Sequence, residues 1–229
     1  MYGPYPPLFS ANLRPMNTDS TVGAAGGLAG HALACRRGGR LVFRDLDLHV
    51  APGDLLVLRG ANGTGKSSLL RLIAGLLAPA DGTLAWDGAD VDADPVAHRA
   101  RLHFVGHADA LKPTLTLSEH LEFHAALRGA PACDPAAALD AFGLAALART
   151  PARFLSQGQR RRAALARVLV APAPLWLLDE PTNGLDAAAS EALAQAIKRH
   201  RTGGGMVVAA THLDFPGMDA RTLTLGAAR

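Results

Sequence analysis

The sequence predicts an α/β fold with a mostly parallel central sheet, and short apolar runs set around one glycine-rich loop are what predict it. The loop, Gly60 to Ser67, lies between an apolar run, Leu55 to Arg59, and a stretch whose apolar residues recur at helical spacing. Two further runs, Leu175 to Leu178 and Met206 to Ala210, are continuously apolar and too short for helices, which suits strands buried on both faces. Helical segments separate these strands, and parallel neighbours need such crossover connections.

Taken in order, residues 1–30 carry Pro, Gly and small polar side chains, with no basic start leading into a long apolar run. They read as a disordered tail rather than a signal peptide, leaving 31–229 as the folded domain. Val42 to Val50 alternates imperfectly, with Leu46, Leu48 and Val50 on one side of a strand and Asp47 and His49 on the other. Pro52-Gly53-Asp54 is a turn into the Leu55 to Arg59 strand. From Ser67 onward, Leu69, Leu70, Ile73, Leu76 and Leu77 share one helix face, and Pro79 ends the helix. Gly82 to Trp86 is a strand that turns at Asp87-Gly88, and Leu102 to Val105 is another.

Between Thr114 and about Thr150 the period becomes helical, with Thr116 and Glu119 at capping-box spacing and an alanine-rich piece, Ala136 to Leu147, broken at Gly143. These pieces interrupt a strand-bearing chain, so they are expected to form a small helical subdomain over about 108–155. Gln159 to Val170 is a helix with Leu165, Val168 and Leu169 as its apolar positions, stopped by Pro172 and Pro174. Ala187 to His200 is a helix carrying Leu193 and Ile197, and Thr222 to Leu225 an edge strand.

Composition narrows the function classes. Of 229 residues, 49% are apolar and 19% charged, as in globular domains. The longest nearly apolar stretch, Ala163 to Leu178, is broken by Arg167, Pro172 and Pro174, short of the roughly 20 uninterrupted apolar residues that cross a bilayer. The 23 Lys and Arg are scattered and the net charge is +3, so direct nucleic-acid binding is not expected. Cys35 and Cys133 stand far apart and read as reduced thiols of a cytosolic protein. His31, His49, His98, His103, His120, His124 and His200 lack metal-ligand spacing and read as structural or exposed.

Gly60-Ala61-Asn62-Gly63-Thr64-Gly65-Lys66-Ser67 matches G-x-x-x-x-G-K-S in full and runs on into Ser68. The glycines let successive amides face a phosphate, and the following helix adds its unpaired N-terminal donors. Lys66 would reach the β- and γ-phosphates, and the Ser67 hydroxyl would meet Mg²⁺. Asp179 ends a buried strand, where it can hold the metal shell through water, and Glu180 beside it can polarise an attacking water. These motifs alone leave kinases, small GTPases and motor ATPases open.

At this point the chain resembles the ATPase domain of ABC transporters from about 33 to 225. Leu155-Ser156-Gln157-Gly158-Gln159 looks like that family's signature motif, with Gln157 where the first of two glycines usually stands. Gly184-Leu185-Asp186 resembles the segment that crosses the dimer interface, and His212 the switch histidine that reaches the γ-phosphate. The resemblance implies a P-loop core with an antiparallel β-subdomain and a helical subdomain, and two ATPs sandwiched head to tail in a homodimer. Each ATP would lie between one protomer's Lys66 loop and the Ser156, Gly158 and Gln159 segment of the other. Ser156 can also serve simply as an N-cap, and the two roles are compatible.

His107 stands where many transport ATPases carry a glutamine that touches Mg²⁺. Mg²⁺ prefers oxygen, so the loop is expected to keep its coupling role while metal contact by His107 is disfavoured. No aromatic residue for adenine stacking occurs in Arg36-Arg37-Gly38-Gly39-Arg40, which leaves two alternatives: the Arg37 guanidinium plane stacks on adenine, or adenine is held loosely with modest base specificity. Val105-Gly106-His107, Leu115-Thr116-Leu117, Glu119-His120-Leu121 and Leu84-Ala85-Trp86 look like the ATP-binding subunit of the haem exporter used in bacterial cytochrome c biogenesis. That resemblance implies integral membrane subunits as partners and a peripheral place on the cytoplasmic side of the inner membrane.

Overall fold

The computed structural model describes residues 26–226, apart from 131, 132, 214 and 216. Strands β1 (Leu28–Arg37), β2 (Arg40–Val50), β4 (Asp81–Trp86) and β5 (Ala89–Asp90) form an antiparallel sheet in the order β2-β1-β4-β5. A parallel sheet runs β6-β7-β8-β3-β9, from β3 (Leu55–Arg59), β6 (Leu102–Val105), β7 (Leu175–Asp179), β8 (Met206–Ala210) and β9 (Arg221–Thr224). The α-helices are α1 (Lys66–Ile73), α2 (Pro95–Ala100), α3 (Leu117–Leu127), α4 (Pro135–Asp140), α5 (Gln157–Ala166) and α6 (Ala187–Thr202).

The two-residue period of the strands divides the interior in two. Leu55, Val57, Trp176, Leu178, Val207 and Ala209 face a cluster shared with α3 to α6, while Leu56, Leu58, Leu175, Leu177, Val208 and Ala210 face α1 and the antiparallel sheet. That double burial is why β7 and β8 are apolar at almost every position, all of them buried. Leu117, Leu121, Leu139, Phe142 and Leu144 of the helical region belong to the same buried cluster as the sheet residues, so this region shares the sheet's core.

Parallel register decides where chemistry can sit. Leu58 pairs with Ala210, Asp179 with Ala210, and Val105 with Leu178, so the loops after β3, β6, β7 and β8 leave one edge of the sheet together. Open α/β sheets bind ligands at this carboxyl edge.

Several boundaries differ from the expectation. β1 begins at Leu28, so the last residues assigned to the tail are in the sheet, while 1–25 lie outside the described residues. The whole of β1 escapes a pattern search because Gly30 and Ala32 interrupt it, Ala32 at φ 47, and its register with β2 shifts repeatedly. α1 stops before Pro79, at Gly75 with φ 65, which leaves Leu76 58% exposed and off the apolar face. α5 starts at Gln157, two residues early, and gives way to a 3-10 turn over Arg167–Leu169. α2, capped by Asp94 with Pro95 in its first turn, was not anticipated. The Thr116–Glu119 capping box forms as expected, with Thr116 N donating to Glu119 Oε2 at 2.8 Å and Glu119 N to Thr116 Oγ1 at 3.3 Å.

Candidate nucleotide-binding site

A cavity of about 540 Å³ opens at the carboxyl edge of the parallel sheet, lined by the β3–α1 loop together with Arg37, His107, Glu180, Asn183 and His212. Gly60, Gly63 and Gly65 all hold positive φ, and at Gly60 and Gly65 a side chain would also collide. At φ 139, a Cβ on Gly60 would fall 2.5 Å from Leu225 O; at φ 105, one on Gly65 would fall 2.6 Å from Val42 Cγ1. Thr64 Oγ1 donates back to Ala61 O at 2.9 Å and closes the loop on itself.

Helix capping marks this loop as an anion site. Asp94, Thr116, Asp134, Ser156 and Asp186 each accept a backbone amide at the start of α2 to α6, whereas α1 has no side-chain cap. The first amides of α1 therefore keep their donors for a ligand, at the positive end of the helix dipole. Lys66 is buried beside them, with Nζ donating to Gly60 O at 2.8 Å and Ala61 O at 3.2 Å. Carbonyls solvate the ammonium without neutralising it, so the loop presents a positive charge to whatever enters.

The acidic side of the cavity comes from the next strands. Ser67 Oγ donates to Asp179 Oδ1 at 3.0 Å, which places two oxygen donors at the end of β7, a set that fits a hard cation such as Mg²⁺. Glu180 follows with φ 47, and its amide donates to Ala210 O at 2.7 Å. This left-handed turn brings Oε1 to 3.5 Å from His212 Nε2, which also lies 3.3 Å from Asn62 Oδ1. One imidazole nitrogen thus touches both the phosphate loop and the candidate base. A family model described as "ABC transporter" matches residues 43–183. The chain belongs to the ABC transporter family.

Relatives of this ABC ATPase subunit share most of its length. It is 55% identical over 197 residues to the "Cytochrome c biogenesis ATP-binding export protein CcmA" of Rhodospirillum rubrum, covering 86% of this chain and 84% of that one. The protein of the same name from Paramagnetospirillum magneticum is 53% identical over 199 residues, covering 84% of this chain and 91% of that one. A solved structure titled "Structure of ATP binding subunit of ABC transporter" superposes with a TM-score of 0.74 at 26% identity, over 82% of this chain and 80% of that one.

Within the ABC ATPase subunit, the cavity brings together Asn62, Gly63, Gly65, Lys66, Ser67, Ser68, His107, Glu180 and His212, with Arg37 and Val42 also in its lining. Gly60, Ala61 and Thr64 complete the loop, and Asp179 joins through Ser67. Ser156, Gly158 and Gln159 do not line it. They form the start of α5, where Ser156 Oγ accepts Gln159 N at 3.2 Å and Gln159 Oε1 accepts Ser156 N at 2.8 Å. Asp186 caps α6 by accepting Ala189 N at 2.8 Å.

Sequence reasoning missed Asn183, which lines the cavity, and Arg161, which lies behind it. Arg161 stands in the middle of the run Arg160-Arg161-Arg162, where neighbouring arginines mask it. A signal did exist: Arg161 precedes Leu165 by one helical step of four, so it lies on the apolar face of α5.

Proposed function

We propose that the chain hydrolyses Mg²⁺-bound ATP as the peripheral subunit of a bacterial inner-membrane complex that serves cytochrome c biogenesis by exporting haem or remodelling its delivery. The observation that carries the chemistry is the uncapped α1 start with Lys66 beside it, facing Glu180 and His212 across one cavity. Support for the biological role comes from the CcmA relatives and from the resemblance around His107.

In this reading the phosphate-loop amides and Lys66 hold the β- and γ-phosphates. Ser67 and, through water, Asp179 would hold Mg²⁺, and bound there it would supply charge neutralisation for the phosphate oxygens. Glu180 accepts a proton from the attacking water as its oxygen bonds to the γ-phosphorus and the bond to the ADP oxygen breaks. His212, donating through Nε2, steadies a γ-phosphate oxygen. Arg37 and Val42 provide the surface for adenine, and phosphate contacts dominate affinity. The site is completed by the Ser156, Gly158 and Gln159 segment of a second copy, in a head-to-tail homodimer that binds two ATPs. No described helix is long and apolar enough to cross a membrane, so the vectorial work falls to integral membrane subunits.

Glu180→Gln is expected to bind ATP normally, to hydrolyse it about 100-fold or more slowly, and to elute as a nucleotide-bound dimer on gel filtration. Hydrolysis at the parent rate would remove Glu180 from its role. For the pathway, replacing Lys66 by Ala in cells should abolish covalent haem attachment to c-type cytochromes. Normal cytochrome maturation would refute the pathway and leave the ATPase chemistry standing.

A further inference from the structure

The Arg161 guanidinium is buried and donates to two segments at once, the loop after β6 and the end of β7. Nη1 reaches Gly106 O at 2.8 Å and Asp109 Oδ1 at 3.4 Å; Nη2 reaches Asp179 O at 2.6 Å and Glu180 O at 2.8 Å. We propose that Arg161 is a positioning residue that holds Glu180 in its reactive orientation and ties that orientation to the start of α5.

The geometry supports this in two ways. Consecutive carbonyls of an extended strand point in opposite directions, so one nitrogen cannot bond both. Nη2 bonds the carbonyls of Asp179 and Glu180 because the chain turns between them, at the φ of 47 that strains any residue with a side chain. The guanidinium therefore rewards the turned backbone and loses contacts if Glu180 relaxes to a strand. That turn is what sets Glu180 Oε1 3.5 Å from His212 Nε2. A buried cation paired with one carboxylate at 3.4 Å is a poor way to stabilise a core, where an apolar side chain would do as well.

The same side chain also links distant parts of the site. Gly106 immediately precedes His107, which lines the cavity, so both walls hang on one guanidinium. Arg161 sits in α5, whose N-cap is Ser156, and a rigid tilt of this helix moves both residues. In the head-to-tail dimer proposed above, on which this inference rests, ATP held by the partner meets Ser156. Its arrival would then be read at Glu180 of the same chain, making the two sites cooperative.

The test uses the full chain and the variants Arg161→Met and Arg161→Lys, with melting temperature, ATP binding and steady-state hydrolysis measured on each. Arg161→Met should lower kcat by about 10- to 100-fold while the ATP concentration for half-maximal rate stays within about threefold, and where the parent is expected to be sigmoidal in ATP the variant should be hyperbolic. Arg161→Lys, which can still reach one carbonyl, should recover part of kcat. Placed on Glu180→Gln, Arg161→Met should lower the rate no further, because the group it positions is already gone. A kcat within about twofold of the parent, a fall in kcat matched by a rise in the half-maximal ATP concentration, or a full additional loss on Glu180→Gln would overturn the assignment. If Arg161→Met does not fold, Arg161→Lys decides by the same split. Should the parent itself fail to hydrolyse ATP, the ATPase reading falls together with this one; an active parent and an inactive Glu180→Gln confine any failure to Arg161.

Discussion

Acid should destabilise this protein through a histidine that has no part in catalysis. His103 is buried at the second position of β6, where its Nε2 lies 2.8 Å from Ala171 O. A carbonyl only accepts, so Nε2 carries the proton and Nδ1 is an acceptor, 3.5 Å from His124 Nε2. Burial pushes the His103 pKa down to about 3 from 6.5, outweighing the Ala171 carbonyl, and the charges of Arg128 and Arg167 act in the same direction. The folded state therefore binds fewer protons than the unfolded one between these values, and stability falls with falling pH from about 6.5 toward 3.

Between pH 7 and pH 5 the His103 shift alone is worth about 2 kcal/mol, of order the stability change that a large core truncation brings. His124, lowered to about 4 by its own burial and by Arg167 and Arg128, adds in the same direction. Urea unfolding of the parent and of His103→Gln at pH 7, 6 and 5 checks this. Gln can still donate to Ala171 O, so the variant should start less stable or equal at pH 7 and lose about 2 kcal/mol less on going to pH 5. Parallel stability curves for the two proteins would show that His103 is not the titrating group.

Two further outcomes concern the cavity. Gly65→Ala places a Cβ 2.6 Å from Val42 Cγ1 and 3.0 Å from Phe43 Cδ1 at a φ of 105. It should cost about 1–3 kcal/mol of stability and lose ATP binding, read by thermal melting with and without nucleotide. Ser67→Ala removes the hydroxyl that donates to Asp179 Oδ1 at 3.0 Å. Titrating hydrolysis with Mg²⁺ should show at least about a 10-fold higher metal requirement, while metal-free nucleotide binding changes little.

How much was legible in the sequence follows from what each residue type can be made to do. β7 and β8 were visible because burial on both faces demands an unbroken apolar run that little else produces. The phosphate loop was visible because Gly60 and Gly65 are forced by contacts from Leu225 and Val42, which fix their spacing around Lys66. β1 was hidden, since its half-exposed pattern, bulges and internal Gly30 resemble a loop until β2 and β4 flank it. α1 was overextended because Leu76 and Leu77 continue its period, although Gly75 adopts the left-handed turn that ends it. Arg161 was legible only as a cation on the apolar face of α5, four residues before Leu165; its partners are carbonyls of distant segments, and backbone acceptors leave no mark on a sequence.

The two readings of Ser156 meet in its hydroxyl. Within the chain Ser156 Oγ accepts the Gln159 amide, and the Gln159 side chain accepts the Ser156 amide. Accepting uses a lone pair and leaves the O–H free to donate. The capping box therefore uses the hydroxyl as an acceptor and leaves its proton available. An anion arriving from a second copy would find that proton together with the Gly158 amide at the positive end of the helix. The first helical position, Lys66 in α1, is Gln157 in α5, and Arg161 further along is engaged by carbonyls behind the site, so this end is suited to recognise a γ-phosphate already held elsewhere more than to capture ATP alone. Capture by the uncapped α1 and inspection by the capped α5 are different tasks, and in the proposed head-to-tail homodimer the capping pattern would divide them between two copies of one chain.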